Sequence, residues 1–329
     1  MKVLYAVVLI LGCFLGAGFV SGREVASYFS RCGGISFFTC IVAGVLFFIL
    51  TYFFFCISKQ VRSAEEFVLV YFNKSKSLVG CLFSTCILII AGSMFAGTYS
   101  LADSLALNKL LIMLFTIVLT FFVVSRNVRG IERVNVFLVP SLIVVLIFTM
   151  KIGEVEISNS GDVFGSVISG SGYVFVNIVS LGLLIIDIGH KYTRQEKFII
   201  ACICSIVITA LLYGVNASIL SNGLVDEMMP NLALSSRSFP LYVCMQISIY
   251  LGLFTTLIAN IYLLSRFVFK YINNRNLSIL ISIIASLIIS SFGFDNIVGY
   301  VYIFIAFVGM FIVIGGVNKS LRNKLKYCV

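Results

Sequence analysis

Long apolar runs separated by short polar stretches dominate the chain. Ten such segments can be drawn, at about 3–29, 34–57, 78–105, 109–125, 134–152, 163–189, 197–221, 239–268, 277–292 and 296–317. Roughly 20 apolar residues carry a helix across the hydrocarbon of a bilayer, and each segment reaches or approaches that length. The ninth is short. The first, third, sixth and eighth are long, which predicts tilt or interruption. No polar stretch is long enough for a separate soluble domain. The pattern predicts an all-α polytopic membrane protein: ten transmembrane helices in a single domain over 1–329, embedded in a lipid bilayer.

Two segments carry residues that do not suit a plain membrane helix. The first contains Gly12, Gly16, Gly18, Ser21, Gly22 and the adjacent Arg23-Glu24. Each glycine weakens a helix by roughly 1 kcal/mol relative to alanine. Backbone released from a helix inside a bilayer is tolerated only where protein buries it or a cavity accepts it. The expected form is a discontinuous helix, broken at Gly16 to Gly18 and resuming near Phe19. The sixth segment opens Gly165-Ser166-Val167-Ile168-Ser169-Gly170-Ser171-Gly172-Tyr173, a second glycine/serine interruption five spans later. Matching interruptions in two halves point to the solute site of a secondary transporter. An odd number of spans per half makes the halves inverted repeats, at about 1–155 and 156–317, followed by a short basic tail over 318–329. On this reading Gly16, Ala17, Gly18 and Phe19 face Ser169, Gly170, Ser171 and Gly172 across a central cavity for a small-molecule substrate. Half-helix amides there would attract a carboxylate or other anionic group. The competing reading is close helix packing through small residues.

Composition and charge sharpen this picture. The chain is 60% hydrophobic and 11% charged, with a formal net charge of +10. The basic residues sit in short connections rather than in a stripe, which argues against nucleic acid as a partner. With the N-terminus inside, 18 of the 23 Lys and Arg fall on the inner side. That asymmetry predicts cytoplasmic termini at both ends of a protein of the cell membrane. The single histidine, His190, and the scattered cysteines form no metal-ligand or disulfide spacing. Lys2, an apolar run and Ile10-Leu11-Gly12-Cys13 imitate a processed leader, but further membrane segments follow.

The string Gly12-Cys-Phe-Leu-Gly16-Ala-Gly18-Phe resembles the first helix of the leucine-transporter fold. The longer Gly16-Ala-Gly18-Phe-Val-Ser-Gly22-Arg-Glu24 resembles the YkvI-like membrane proteins of the amino acid–polyamine–organocation superfamily. Tyr173-Val-Phe-Val-Asn177 and Gly252-Leu-Phe-Thr255-Thr256-Leu-Ile-Ala-Asn260-Ile-Tyr262 also look like that family. The resemblance covers all ten spans. It implies transport by alternating access, with Tyr173 and Asn177 added to the substrate site. It also implies an ion site in which carbonyls of Gly12, Leu15 and Gly252 join the hydroxyls of Thr255 and Thr256. That site would take sodium, the only cofactor or metal expected; relatives in which a proton or fixed charge replaces sodium keep proton coupling open. Lone threonines would instead bond back to the preceding turn. The resembled fold pairs an Arg on helix one with an Asp on helix ten as an outer gate, which implicates Arg23 and Asp295; a surface pair of Arg23 with Glu24 is the alternative.

Asp187, near the inner end of the sixth segment, and Asp103, near the outer end of the third, are intramembrane or interfacial acids. Such acids mark function when deep, but pairing of Asp187 with Lys191 or Arg194 at the interface is the plainer expectation. Segment three also offers Ser93, Met94 and Tyr99 as lining residues. No Ser/His/Asp set, phosphate-binding glycine loop or metal cluster is visible, so no enzyme is expected. The functional expectation is a cation-coupled secondary transporter of a small polar organic solute such as an amino acid. The alternative is a non-transporting nutrient or germinant sensor on the same scaffold.

Overall fold

The structure is a computed structural model that describes residues 2–72, 75–105, 107–154 and 162–326. The described residues are helical, with no strand among them. The first segment is split into α1 (Lys2–Phe14), α2 (Ala17–Val20) and α3 (Arg23–Tyr28). A 3₁₀ turn over Ser30–Ile35 leads into α4 (Ser36–Ile57), and α5 (Ala64–Tyr71) lies in the connection that follows. Then come α6 (Lys76–Ser104), α7 (Lys109–Ser125), α8 (Val128–Thr149), α9 (Val163–Gly189) and α10 (Arg194–Ser221). The short α11 (Pro230–Ser235) precedes α12 (Phe239–Ile272), α13 (Arg275–Ser290), α14 (Phe294–Asn296) and α15 (Tyr302–Lys326). Seven helices are long and apolar enough to cross a membrane, and α1, α7 and α13 are shorter apolar helices.

Burial separates core from periphery. The apolar windows of α9 and α12 are 83% buried, whereas that of α8 is 28% buried. So α9 and α12 form the centre, with α4 and α15 against α9, and α6, α8 and α13 against α12. Helix α1 threads between these groups, packing on α8, α10, α9 and α12. Outward positions are apolar too: Phe137, Phe164, Phe239, Leu110 and Phe307 are largely exposed. A surface of this kind needs a lipid solvent.

One sequence expectation is corrected here. The sixth segment is not interrupted, because α9 runs as one helix from Val163 to Gly189. Its small residues serve contact and capping. A Cβ on Gly170 would stand 2.4 Å from Thr39 Cγ2, so the glycine lets α4 approach; Ser169 donates to the Tyr28 carbonyl at 2.8 Å. Gly165 leaves room for Asp162, whose side chain caps the Phe164 amide at 3.0 Å. The packing reading therefore holds for Gly170, whereas Gly172 has open space beside it. The tenth segment departs from a regular helix instead: Gly293 adopts φ +83°, and Ile297–Val301 form a π-helical turn before α15. The tail expected from 318 continues α15 to Lys326.

Candidate functional site

The first gap in the split helix brings α1 against α12. The Leu15 amide closes α1 on Leu11 at 2.7 Å, and Gly16 accepts from Val20 at 2.9 Å to open α2. Carbonyls freed near the end of α1 find a side chain. The Thr256 hydroxyl lies 3.5 Å from the Gly12 carbonyl and 3.3 Å from that of Cys13. Small residues permit the approach: a Cβ on Gly16 would sit 3.1 Å from Thr256 Oγ1, and one on Gly252 would sit 3.2 Å from the Leu15 carbonyl. Gly12, Leu15, Gly252 and Thr256 thus gather at one place. Thr255, fully buried, bonds back to the Gly252 carbonyl at 3.1 Å, as an isolated threonine would. Asn260 on the next turn donates to the Thr256 carbonyl at 2.8 Å, and its Oδ1 is buried without a partner.

The second gap, at Ser21-Gly22, is closed by a residue that sequence reasoning missed. Gly22 takes φ +85°, a left-handed conformation that glycine adopts without steric cost. Asn231 of α11 donates from its backbone to the Ser21 carbonyl and from its side chain to the Val20 carbonyl, each at 2.9 Å. A short helix in the α10–α12 connection thereby replaces the helical bonds lost at the gap. An isolated asparagine in a loop carries no signal that would have identified it.

Two cavities flank this split helix. A small one of about 20 Å³ is bordered by Phe14, Gly16, Glu24, Asn177, Thr256 and Tyr302. A larger one of about 610 Å³ lies among Arg23, Tyr28, Ser169, Ser171, Gly172 and Phe307. Tyr173, 1% exposed, packs its ring on Tyr28 at 5.4 Å, Phe29 at 5.5 Å and Phe14 at 5.6 Å. This aromatic cluster stands between the two spaces. The predicted substrate residues are therefore dispersed. Gly16 and Asn177 border the small cavity; Ser169, Ser171 and Gly172 line the large one; Gly170 faces α4. Phe19 is fully buried against Phe14, and Gly18 lies beneath Glu24. Ala17 opens α2, and its side chain lies outside the described residues.

Glu24 overturns the expectation of a surface pair. It is 6% exposed and turned inward, whereas Arg23 turns outward and donates to the Glu227 carbonyl at 3.4 Å. The side chain of Asp295, the suggested gate partner of Arg23, lies outside the described residues. Tyr302 is the second residue missed: it follows the π-helical turn, is 3% exposed, and places its hydroxyl 3.1 Å from Ser93. Met94 also borders the small cavity, but Tyr99 is half-exposed and lies under the Lys109 ammonium, which pairs with Asp103. Asp103 is accordingly a residue of the periphery.

Asp187 does not pair with Lys191 or Arg194. Its carboxylate accepts from the Ala64 amide at 3.2 Å and from the Tyr262 hydroxyl at 2.9 Å, and it lies 3.9 Å from Arg266. Arg266 in turn donates to both oxygens of Glu65, at 3.2 and 3.3 Å. Burial disfavours the Glu65 carboxylate, but the hydrogen bonds and charge of Arg266 outweigh it and hold the group below its usual 4.5. The network ties α5 to α9 and α12 at the end where basic residues gather.

No family model matches the chain. The uncharacterized membrane protein YkvI of Bacillus subtilis (strain 168) is 33% identical over 138 residues, 41% of this chain and 40% of that protein. The uncharacterized protein YyaD of the same organism is 22% identical over 350 residues, covering 97% of each. Among solved structures, MhsT in complex with L-phenylalanine matches 97% of this chain and 88% of its own, with TM-score 0.68 and 14% identity. Mhp1, a nucleobase-cation-symport-1 family transporter in a closed conformation with bromovinylhydantoin bound, matches 90% of this chain and 74% of its own, with TM-score 0.62 and 14% identity. The fold is thus that of the leucine-transporter-like membrane proteins. In sequence the chain is similar to YkvI over a stretch that spans less than half of that relative's length.

Proposed function

We propose that this protein is a cation-coupled secondary transporter, built as inverted five-helix repeats over about 1–155 and 156–317. It would move a small polar organic solute, such as an amino acid, across the cell membrane by alternating access, with both termini cytoplasmic. The observation that carries this reading is the contact of Thr256 with the freed carbonyls of Gly12 and Cys13, where the first helix is interrupted beside a buried cavity. Irregular backbone at membrane depth is tolerated where protein buries it or it lines a cavity, and secondary transporters build solute sites at such interruptions. The large cavity on one side of the Tyr173 cluster and the Asp187–Arg266–Glu65 network at the basic end support a site with two closures.

The coupling cation would be sodium or a proton. Carbonyls of Gly12, Leu15 and Gly252 and hydroxyls of Thr255 and Thr256 form an all-oxygen, uncharged donor set suited to a hard monovalent cation. Coordination by Thr255 requires its hydroxyl to leave the Gly252 carbonyl. Proteoliposomes holding the purified protein should accumulate an amino acid from a mixed panel only under an imposed sodium or proton gradient, and an ionophore should abolish the uptake. Saturable binding without flux under either gradient would overturn transport and favour a sensor.

A further inference from the structure

The large cavity is open along the lipid-facing side of the bundle. Ile303, Phe307 and Met310 recur at i, i+4 and i+7 on α15 and line it, as does Ile168 of α9. All four remain exposed on the surface of the bundle, Phe307 at 63%. From Ile303 to Met310 the helix rises about 10 Å, at about 1.5 Å per residue. The space of about 610 Å³ falls within the roughly 300–1,000 Å³ of ligand-sized pockets. In a lipid-solvated bundle, a cleft walled by exposed apolar side chains is entered from the acyl chains of the bilayer.

Its charge is basic. Arg23 and Arg31 are the charged side chains among the described residues that line it. Neither is firmly engaged. Arg23 donates to the Glu227 carbonyl at 3.4 Å and forms no ion pair among the described residues. Arg31 stands 3.7 Å from Asp226, an acid whose side chain is 97% exposed, and an exposed pair of that length is weak. A guanidinium carries five N–H donors, so both arginines keep donors to spare.

We propose that this cleft binds an anionic phospholipid. Its phosphate lies between Arg23 and Arg31, and one acyl chain follows Ile303, Phe307 and Met310 along α15. Guanidinium groups hold phosphate through paired, charge-assisted hydrogen bonds. A small hydrophilic anion would satisfy the arginines and leave the apolar wall uncovered. A zwitterionic lipid would cover the wall but bring a cationic group toward the arginines. A lipid seated there leaves the small cavity untouched, so the proposal stands or falls apart from transport.

The chain contains no tryptophan. F307W therefore places a single fluorophore in the cleft, and F137W places one on the exposed face of α8, which does not line it. Each full-length variant is reconstituted in phosphatidylcholine bilayers with a minor fraction of phosphatidylglycerol or phosphatidylcholine carrying brominated chains, which quench tryptophan on contact. The salt is about 0.15 M, where screening limits diffuse attraction to about 8 Å. Brominated phosphatidylglycerol should quench F307W about threefold more than brominated phosphatidylcholine does, and the two should quench F137W equally. Adding R31Q to F307W should weaken the preference, and adding R23Q with R31Q should remove it. A second measurement uses the unaltered chain: phosphatidylglycerol should raise its melting temperature in mixed micelles by several degrees more than phosphatidylcholine does. Equal quenching of F307W by the two lipids, the same preference at F137W, or a preference kept without both arginines would overturn the proposal. Stabilisation by millimolar inorganic phosphate that needs the arginines, with no lipid preference at F307W, would assign them to a soluble anion and overturn the lipid site.

Discussion

The Tyr262 hydroxyl donates to Asp187 at 2.9 Å, joining the last turns of α9 to the middle of α12. With the Ala64 amide and Arg266 on the same carboxylate, three elements converge on one buried acid. Asp187→Asn preserves the shape and removes the charge. Hydrogen bonds to a charged group contribute about 1.5–3 kcal/mol, so a loss of about that size is expected in a denaturation series. On the transport reading proposed above, the contact closes the basic end. The variant should therefore let small methanethiosulfonates reach Cys13, which borders the small cavity, several times faster than in the wild type. Unchanged stability and labelling would remove Asp187 from the closure.

Acid should open the same end. Glu65 is held below its usual 4.5 by Arg266, and a carboxylate of lowered pKa contributes stability that is fully present above 4.5. That contribution fades as the pH falls through the shifted value. Cys13 labelling should accordingly be flat between pH 7 and 5 and rise below pH 4.5. Glu65→Gln should label fast at every pH.

Thr256 joins two helices through the Gly12 and Cys13 carbonyls. Thr256→Val should cost about 1–2 kcal/mol, the penalty for stranding buried acceptors. If the coupling cation is sodium, Thr255→Val with Thr256→Val should also abolish stabilisation by sodium chloride relative to choline chloride. Full sodium stabilisation in the double variant would rule out this donor set.

Glycines of α9 and α2 should respond differently to one methyl group. A Cβ on Gly172 meets nothing within 4 Å, so Gly172→Ala should leave stability unchanged or raise it by up to about 1 kcal/mol. Gly170→Ala would press Thr39 and Gly18→Ala would press Glu24, and each should destabilise by about 1–3 kcal/mol. Equal melting temperatures for all three variants would contradict the packing described for α9 and the placement of Glu24.

Asn231→Ala should cost about 1 kcal/mol, since the Val20 carbonyl loses its side-chain donor while the backbone bond to Ser21 persists. Proteolysis of the α10–α12 connection should speed up in parallel.

Much of this architecture was legible in order along the chain. A membrane helix is specified by a run of apolar residues, and the gaps at Leu15-Gly16 and Ser21-Gly22 coincide with glycines that weaken a helix locally. The gathering of Thr256 with Gly12 and Leu15 followed from family resemblance rather than from spacing. The glycines of α9 misled because the same residue that permits unwinding also permits close approach, and only the partner across the interface separates the two.

By itself, then, the order of residues determined a lipid-solvated helical bundle and a weak point of its first helix near Gly16, though not the helical turn over Ala17–Val20 or the second gap at Gly22, because apolar length and backbone freedom are local properties. Tertiary structure alone decided that Gly170 receives α4, that Asn231 mends a gap beside Val20, 211 residues earlier in the chain, and that Arg23 and Glu24 face opposite ways. Those outcomes depend on which atoms arrive from distant elements to fill a space or satisfy a charge, and no stretch of the chain contains that information on its own.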